Sequence, residues 1–349
     1  MGNSESLGTI HIDLDSPNIQ DGDSLSGTIH LLISKPVSAS LLSLELLGQE
    51  STQWYTSTSR RGKKGREVIE HKDQRVLLSK KFTVYVFPQE GPQEGQYSFP
   101  FLLDLPEHLA GSFLFEPPYF PFIQDGQTRG VIKYAVLARV EDQTGAYVVS
   151  GGAELHVVQR LNREIAAVEG ETTAQLSTWY FYSQGTTKVK VEFNKDAYVP
   201  GETARVMVHV DNSESALEAV GIKVHLTRYI TLRERNTAVF QDTTSINSSS
   251  LPYVLPAGHS PQQFVLELMI PTSADVEQMT SVASPLIECR YEMTAEVEMN
   301  GWFTSLGELP KVSKIMCIYP PPIEKPRPPE VEDWSPTVMP LVHLDANSP

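Results

Sequence analysis

The eight residues FPFLLDLP, Phe99 to Pro106, carry almost nothing but apolar side chains and stop at a proline. A short apolar run bounded by turn-formers reads as a fully buried strand, and Pro106 ends it because a proline has no N–H to give a ladder. The stretch recurs: FVLELMIP, 264 to 271, again opens on Phe and closes on Pro eight residues later. Downstream of each copy lies a Tyr-x-x-x-Ala-x-Val segment, YAVLARV at 134 to 140 and YEMTAEV at 291 to 297. Upstream of each, a glycine precedes a strand pattern, Gly22 in DGDSLSGTIHLLI and Gly201 in YVPGETARVMVHV. The glycines, prolines and tyrosines are offset by 179, 165 and 157 residues. Three markers in one order at similar spacing predict a duplicated domain.

Between the markers the patterns are those of sheets. GTIHIDLD (8 to 15), LSGTIHLLI (25 to 33), KKFTVYVF (80 to 87), TKVKVEF (187 to 193), ARVMVHV (204 to 210) and GIKVHL (221 to 226) alternate or run apolar. Many short strands separated by turns predict β-sandwiches or barrels. The best helix candidate is the short LNREIAAVE, 161 to 169. The expected organisation is a first sandwich over 1–160, a link over 161–182, a second sandwich over 183–318 and a proline-rich extended tail over 319–349. In that tail, after IYPPPIEKPRPPEVEDWSP, the prolines leave neither helix nor sheet.

The 349 residues suit two domains. A formal net charge of −15 argues against a nucleic-acid partner, because phosphate backbones select cationic surfaces. Two cysteines, Cys289 and Cys317, are too few to staple the chain and favour a reducing compartment, while a disulfide between them stays open. The opening MGNSESLGTI lacks a secretory pattern, and no apolar run of 18 residues occurs. Those residues do fit M-G-x-x-x-[ST], which marks Gly2 as a candidate acylation site.

SRRGKKGR, 59 to 66, gathers Arg60, Arg61, Lys63, Lys64 and Arg66 in an otherwise acidic chain. It reads either as a solvated loop or as a contact for anionic lipid or phosphate, each basic residue near a membrane surface adding about 1 kcal/mol. QDTTSINSSS, 241 to 250, reads as a flexible hydroxyl-rich loop. His209 and His225 fall opposite buried positions of strand patterns, on a solvated face. Glu292, Glu296 and Glu298 mark another wet face. No G-x-S-x-G, H-E-x-x-H, paired-cysteine metal spacing or P-loop is present, so no cofactor and no enzymatic chemistry is expected.

GQYSFPFLLDLPEHLAGSF followed by GVIKYAVLARV resembles the N-terminal domain of the arrestin family, in particular its α-arrestin branch. YVPGETARVMVHVDNSES, IKVHLTRYITLR, LIECRYEMTAEV and GELPKVSKIMCIYPPP resemble the matching C-terminal domain, so the likeness runs in order from about 20 to 322. The resemblance implies an all-β chain of two tandem arrestin-like, immunoglobulin-like sandwiches. It implies a non-enzymatic, cytoplasmic adaptor, peripheral on the plasma membrane or endosomes, that binds receptor or transporter tails and endocytic or ubiquitin-ligase machinery. The Pro-Pro-x-Tyr tail motif of many α-arrestins is missing, since EPPYFPF (116 to 122) sets Tyr119 one place early. Pro326, Arg327, Pro328 and Pro329 form a minimal polyproline site for an SH3-like partner, with a plain extended tail as the alternative. A retromer-type cargo subunit shares the architecture. From another class, a sandwich hydrolase or carbohydrate-binding enzyme stands as the rival.

Overall fold

The computed structural model describes residues 7–59, 66–117, 128–178, 182–234, 238–272, 280–300, 309–320 and 337–347. Among them there is no helix, and they fall into two compact units. The first runs to Arg160 and takes back the segment 337–347; the second runs from Leu161 to Arg233 and from residue 238 to 320.

In the first unit one sheet runs β1 (Gly8–Leu14), β3 (Ser24–Ile33), β6 (Gly95–Asp104), followed by β20 (Thr337–Val338) and β21 (Val342–Asp345), both on β6. The other runs β2 (Asn18–Gln20), β9 (Tyr147–Val158), β8 (Arg129–Glu141), β4 (Leu41–Ser59), β5 (Arg66–Val86), with β7 (Phe113–Phe115) also on β8. Alternation sends Ile29, Leu31, Phe99, Phe101 and Leu103 inward from the first sheet and Leu42, Leu44, Leu46, Trp54, Tyr134 and Val136 from the second, all buried.

The second unit repeats the plan. One sheet runs β10 (Val168–Thr178), β11 (Tyr182–Phe193), β13 (Thr203–Asn212), β16 (His259–Met269). The other runs β12 (Ala197–Tyr198), β19 (Lys311–Ile318), β18 (Ile287–Met299), β14 (Ala219–Glu234), β15 (Ala238–Leu255), with β17 (Val282–Ala283) on β18. Its buried residues include Val189, Val206, Leu266, Leu226, Tyr291 and Met293.

The duplication reaches individual bonds. Gly22 and Gly201 both take positive φ, +77° and +92°, which a side chain rarely tolerates. In each turn the residue after the glycine donates back three places, Asp23 to the Gln20 carbonyl and Glu202 to that of Val199. The residue before each marker proline donates to the same turn, Leu105 N–H to Asp23 O at 3.0 Å and Ile270 N–H to Glu202 O at 2.8 Å. The short strands preceding the turns, β2 and β12, each pair parallel with the last long strand of their unit.

Five expectations change. FPFLLDLP is not buried on both faces: Phe99, Phe101 and Leu103 are buried while Pro100, Leu102 and Asp104 are partly exposed, because the sheet has one wet face. LNREIAAVE is not a helix. It runs irregularly to Ala167, held by an Arg163–Asp196 ion pair and an Ala166 N–H to Asp196 Oδ1 bond of 3.2 Å, and Val168 opens β10. The expected link 161–182 therefore contains a strand that pairs along β11. QDTTSINSSS lies within β15, an edge strand with both faces wet, where backbone pairing to β14 replaces apolar alternation as the organising force. Finally, the tail does not stay out of the sheets: beyond Pro336 it supplies β20 and β21.

Candidate functional site: the outer edge of the first sandwich

β6 would be an edge strand without the C-terminal segment. Thr337 and Val338 pair in parallel with Tyr97 and Ser98, and Val342 to Asp345 pair with Phe101 to Asp104. Between them three tail residues, Met339 to Leu341, stand against two, Phe99 and Pro100, so the strand bulges. Neither Pro100 nor Pro340 has an N–H, and both sit in that gap, where the ladder asks nothing of them. Bonds from Met339 N–H to Ser98 O, 2.8 Å, and from Ala346 N–H to Asp104 O, 3.0 Å, fix the two stretches.

Alternation then sorts the tail. Leu344 and Ala346 turn inward and are 6% and 2% exposed, while Val338 and Leu341 remain 67% and 64% exposed. On the wet face His343 Nε2 meets Asp104 Oδ2 at 2.7 Å, and Ser24 Oγ donates to Asp104 Oδ1 at 2.5 Å. Asp345 stands directly opposite Asp104 in the parallel register, a like-charge pair. The edge thus holds the chain's own extended segment with its inward side chains buried and its outward ones in polar contact.

Further along the same face His30 links Asp13 (Nε2 to Oδ2, 3.0 Å) and Ser98 (Nδ1 to Oγ, 3.0 Å), and His11 Nε2 reaches Asp13 Oδ1 at 2.7 Å. A serine, an imidazole and a carboxylate in sequence suggest acyl transfer, yet Ser98 is only 4% exposed in the middle of a paired strand. The 179-residue offset maps His30 on His209 and Asp13 on Glu192, which again face each other, Nε2 to Oε1 at 3.7 Å. The imidazole–carboxylate juxtaposition thus recurs as part of the repeated sheet, in the second unit at a separation beyond hydrogen-bond reach.

Of the residues singled out in the sequence, Arg66 opens β5 with its backbone opposite Ser59, so SRRGKKGR is the connection at the end of the long β4–β5 hairpin. Gly2, Arg60, Arg61, Lys63 and Lys64 lie outside the described residues, as do Pro326, Arg327, Pro328, Pro329 and Tyr119. His209 and His225 are half-buried, and Glu292 and Glu296 partly exposed beside a more exposed Glu298. Both cysteines are free. Burial pushes the Cys289 thiol up to about 12 and raises that of Cys317 as well, so neither is a poised nucleophile. Among the described residues no group of three or more His, Cys, Asp or Glu is placed to hold a metal ion, and no helix is long and apolar enough to cross a membrane. The seating of 337–347 on β6 escaped the sequence reading. Its one visible signal was the alternation of Val342 and Leu344 with His343 and Asp345.

Residues 9–164 match the family model described as the arrestin (or S-antigen) N-terminal domain, and residues 183–323 match that of the arrestin (or S-antigen) C-terminal domain. The chain is similar to arrestin domain-containing protein A of Dictyostelium discoideum, 26% identical over 235 residues. That match covers 64% of this chain and 38% of the relative, so the chain spans well under half the length of the curated relative it matches.

Proposed function

The chain belongs to the arrestin family, and from that membership we propose that it is a non-enzymatic adaptor in membrane-protein trafficking that binds extended segments of cargo tails and of sorting or ubiquitination machinery. The observation that carries this reading is the β6 edge with a peptide segment seated on it by parallel strand addition. Backbone pairing supplies affinity there without any reactive group, and alternate side-chain positions supply selectivity. Affinity capture of the full chain from cells is expected to recover receptors, transporters or endocytic proteins. Recovery of metabolic enzymes alone overturns it.

The basic connection of the β4–β5 hairpin fits a second, membrane-directed role. A myristoyl chain on Gly2 alone binds reversibly, with a constant on the order of 10⁴ per molar, and five cations add the second signal that stable attachment requires. Flotation of acylated protein with anionic liposomes is expected to weaken on charge reversal of Arg60, Arg61, Lys63, Lys64 and Arg66. Flotation indifferent to both acylation and charge rejects this role.

A further inference from the structure

β15 reads nearly alike from either end. Pairing its residues about the Ile246–Asn247 step sets Ser245 against Ser248, Thr244 against Ser249, Thr243 against Ser250, Phe240 against Tyr253 and Val239 against Val254. Hydroxyl meets hydroxyl, aromatic meets aromatic and valine meets valine. Asp242, the one charge of the strand, meets Leu251 and not a second acid. We propose that β15 is a self-complementary margin through which two copies of this chain join, antiparallel about a two-fold axis, into one continuous sheet.

The two-fold requires facing residues to share a side of the sheet, and a regular strand fails that requirement. Each pair above joins an odd-numbered residue to an even-numbered one, which strict alternation turns to opposite faces. β15 is not regular. Exposure alternates through Ser245, Ile246 and Asn247 are both half-buried, and exposed positions resume at Ser248. This slip brings Val239, Gln241, Thr243 and Ser245 onto one face with Ser248, Ser250, Pro252 and Val254. Asn247 holds it, with Nδ2 donating to Met269 O at 2.8 Å and Oδ1 accepting the Ser248 N–H at 2.9 Å. The irregularity that breaks the period of the strand is what lets it match itself.

The margin is also undefended. β15 ends its sheet, with β14 on one side and no strand on the other among the described residues. Edge strands are commonly blunted by charge, and β5, which holds the same place in the first unit, carries eight charged residues in 21. β15 carries one in 18. No Lys or Arg occurs from Ala238 to Met269, so this flank is close to neutral in a chain whose net charge of −15 sets its copies to repel. The ladder between copies spans Asp242 to Leu251 and stops at Pro252, which has no N–H to donate. Facing hydroxyls add cross-strand hydrogen bonds along it. Beyond the ladder, Val239 and Val254, 58% and 57% exposed, cover each other. A two-fold contact of this kind closes on itself and yields a dimer, not a filament.

The test follows the mass of the full chain by sedimentation as its concentration rises through the micromolar range. The mass is expected to climb from 38.8 kDa to twice that value and stop there. Ser245→Lys combined with Ser248→Lys sets two like-charge pairs face to face and is expected to weaken association about tenfold or more. Ser245→Glu combined with Ser248→Glu is expected to do the same. An equimolar mixture of the two charged proteins should recover a dimer at least as tight as that of the parent, because each lysine then faces a glutamate. Both serines are exposed, so both proteins should keep the thermal profile of the parent. If either does not, the same exchange at Thr243 and Ser250, also exposed and facing each other in this register, takes its place. A parent chain that stays monomeric, charged proteins that dimerise as the parent does, a mixture that stays monomeric, or assembly that continues past the dimer each overturns the proposal.

Discussion

Gly48 leaves no room for anything larger. A Cβ there would lie 2.4 and 2.7 Å from the ring of Tyr134, whose hydroxyl is tied to the Ala110 carbonyl at 2.7 Å. Gly48→Ala is expected to cost about 1–3 kcal/mol in denaturant unfolding. At Gly152 the nearest atom, 2.6 Å away, is a rotatable methyl of Leu137, so Gly152→Ala should cost less. Equal losses would mean that the tyrosine ring gives way. Glu141 sets a second residue-scale expectation. Burial pushes its carboxyl up, but hydrogen bonds from Lys81 and Ser43 and the nearby charges of Lys81 and Arg139 outweigh it and hold it below the usual range. A lowered acid stabilises the fold above its unfolded pKa and loses that contribution as pH falls through the folded one. Glu141→Gln should therefore lower stability by about 1–2 kcal/mol at neutral pH, with the deficit closing below about pH 4. A pH-independent deficit would contradict this. At this scale the sequence was partly legible: Gly22, Gly201, Pro106 and Tyr134 announce their positions, whereas the partners of Glu141 come from strands 60 and 98 residues away and leave no local trace.

Among elements, legibility followed the number of wet faces. Strands with one buried face, such as β3 and β13, alternate cleanly in the sequence and appear where alternation puts them. β15 does not, because all its side chains up to Val254 are at least partly exposed and hydroxyls outnumber apolar residues in its middle. β2 and β12 have three and two residues, too few for any period. β20 and β21 hide behind a proline-rich approach, although Pro340 falls in the one place where a missing N–H costs nothing. The tail strand depends on Leu344, whose burial to 6% contributes about 2 kcal/mol to a docking with few other apolar contacts. Leu344→Ala is expected to abolish hydrogen-exchange protection of the Met339 and Ala346 amides while leaving that of β13 and β18 intact. Protection that survives would place the hold elsewhere in the segment.

For the molecule as a whole, two copies of one plan differ chiefly in which edge receives an extra strand: β6 in the first unit, β11 in the second, where β10 pairs with it. The matching offsets of glycine, proline and tyrosine made the two-fold plan readable from the sequence. The edge additions were not readable, since neither has a counterpart in the other copy. The added strand on β6 has a consequence for solubility. β6 is ten residues long, and without its cover it presents a row of open amides and carbonyls beside Phe99, Phe101 and Leu103, blunted only by Pro100. Such a margin is a template for another chain. A chain cut after Pro336 should scatter light at concentrations where the longer chain stays clear, so the segment 337–347 also acts as a built-in guard against fibre formation.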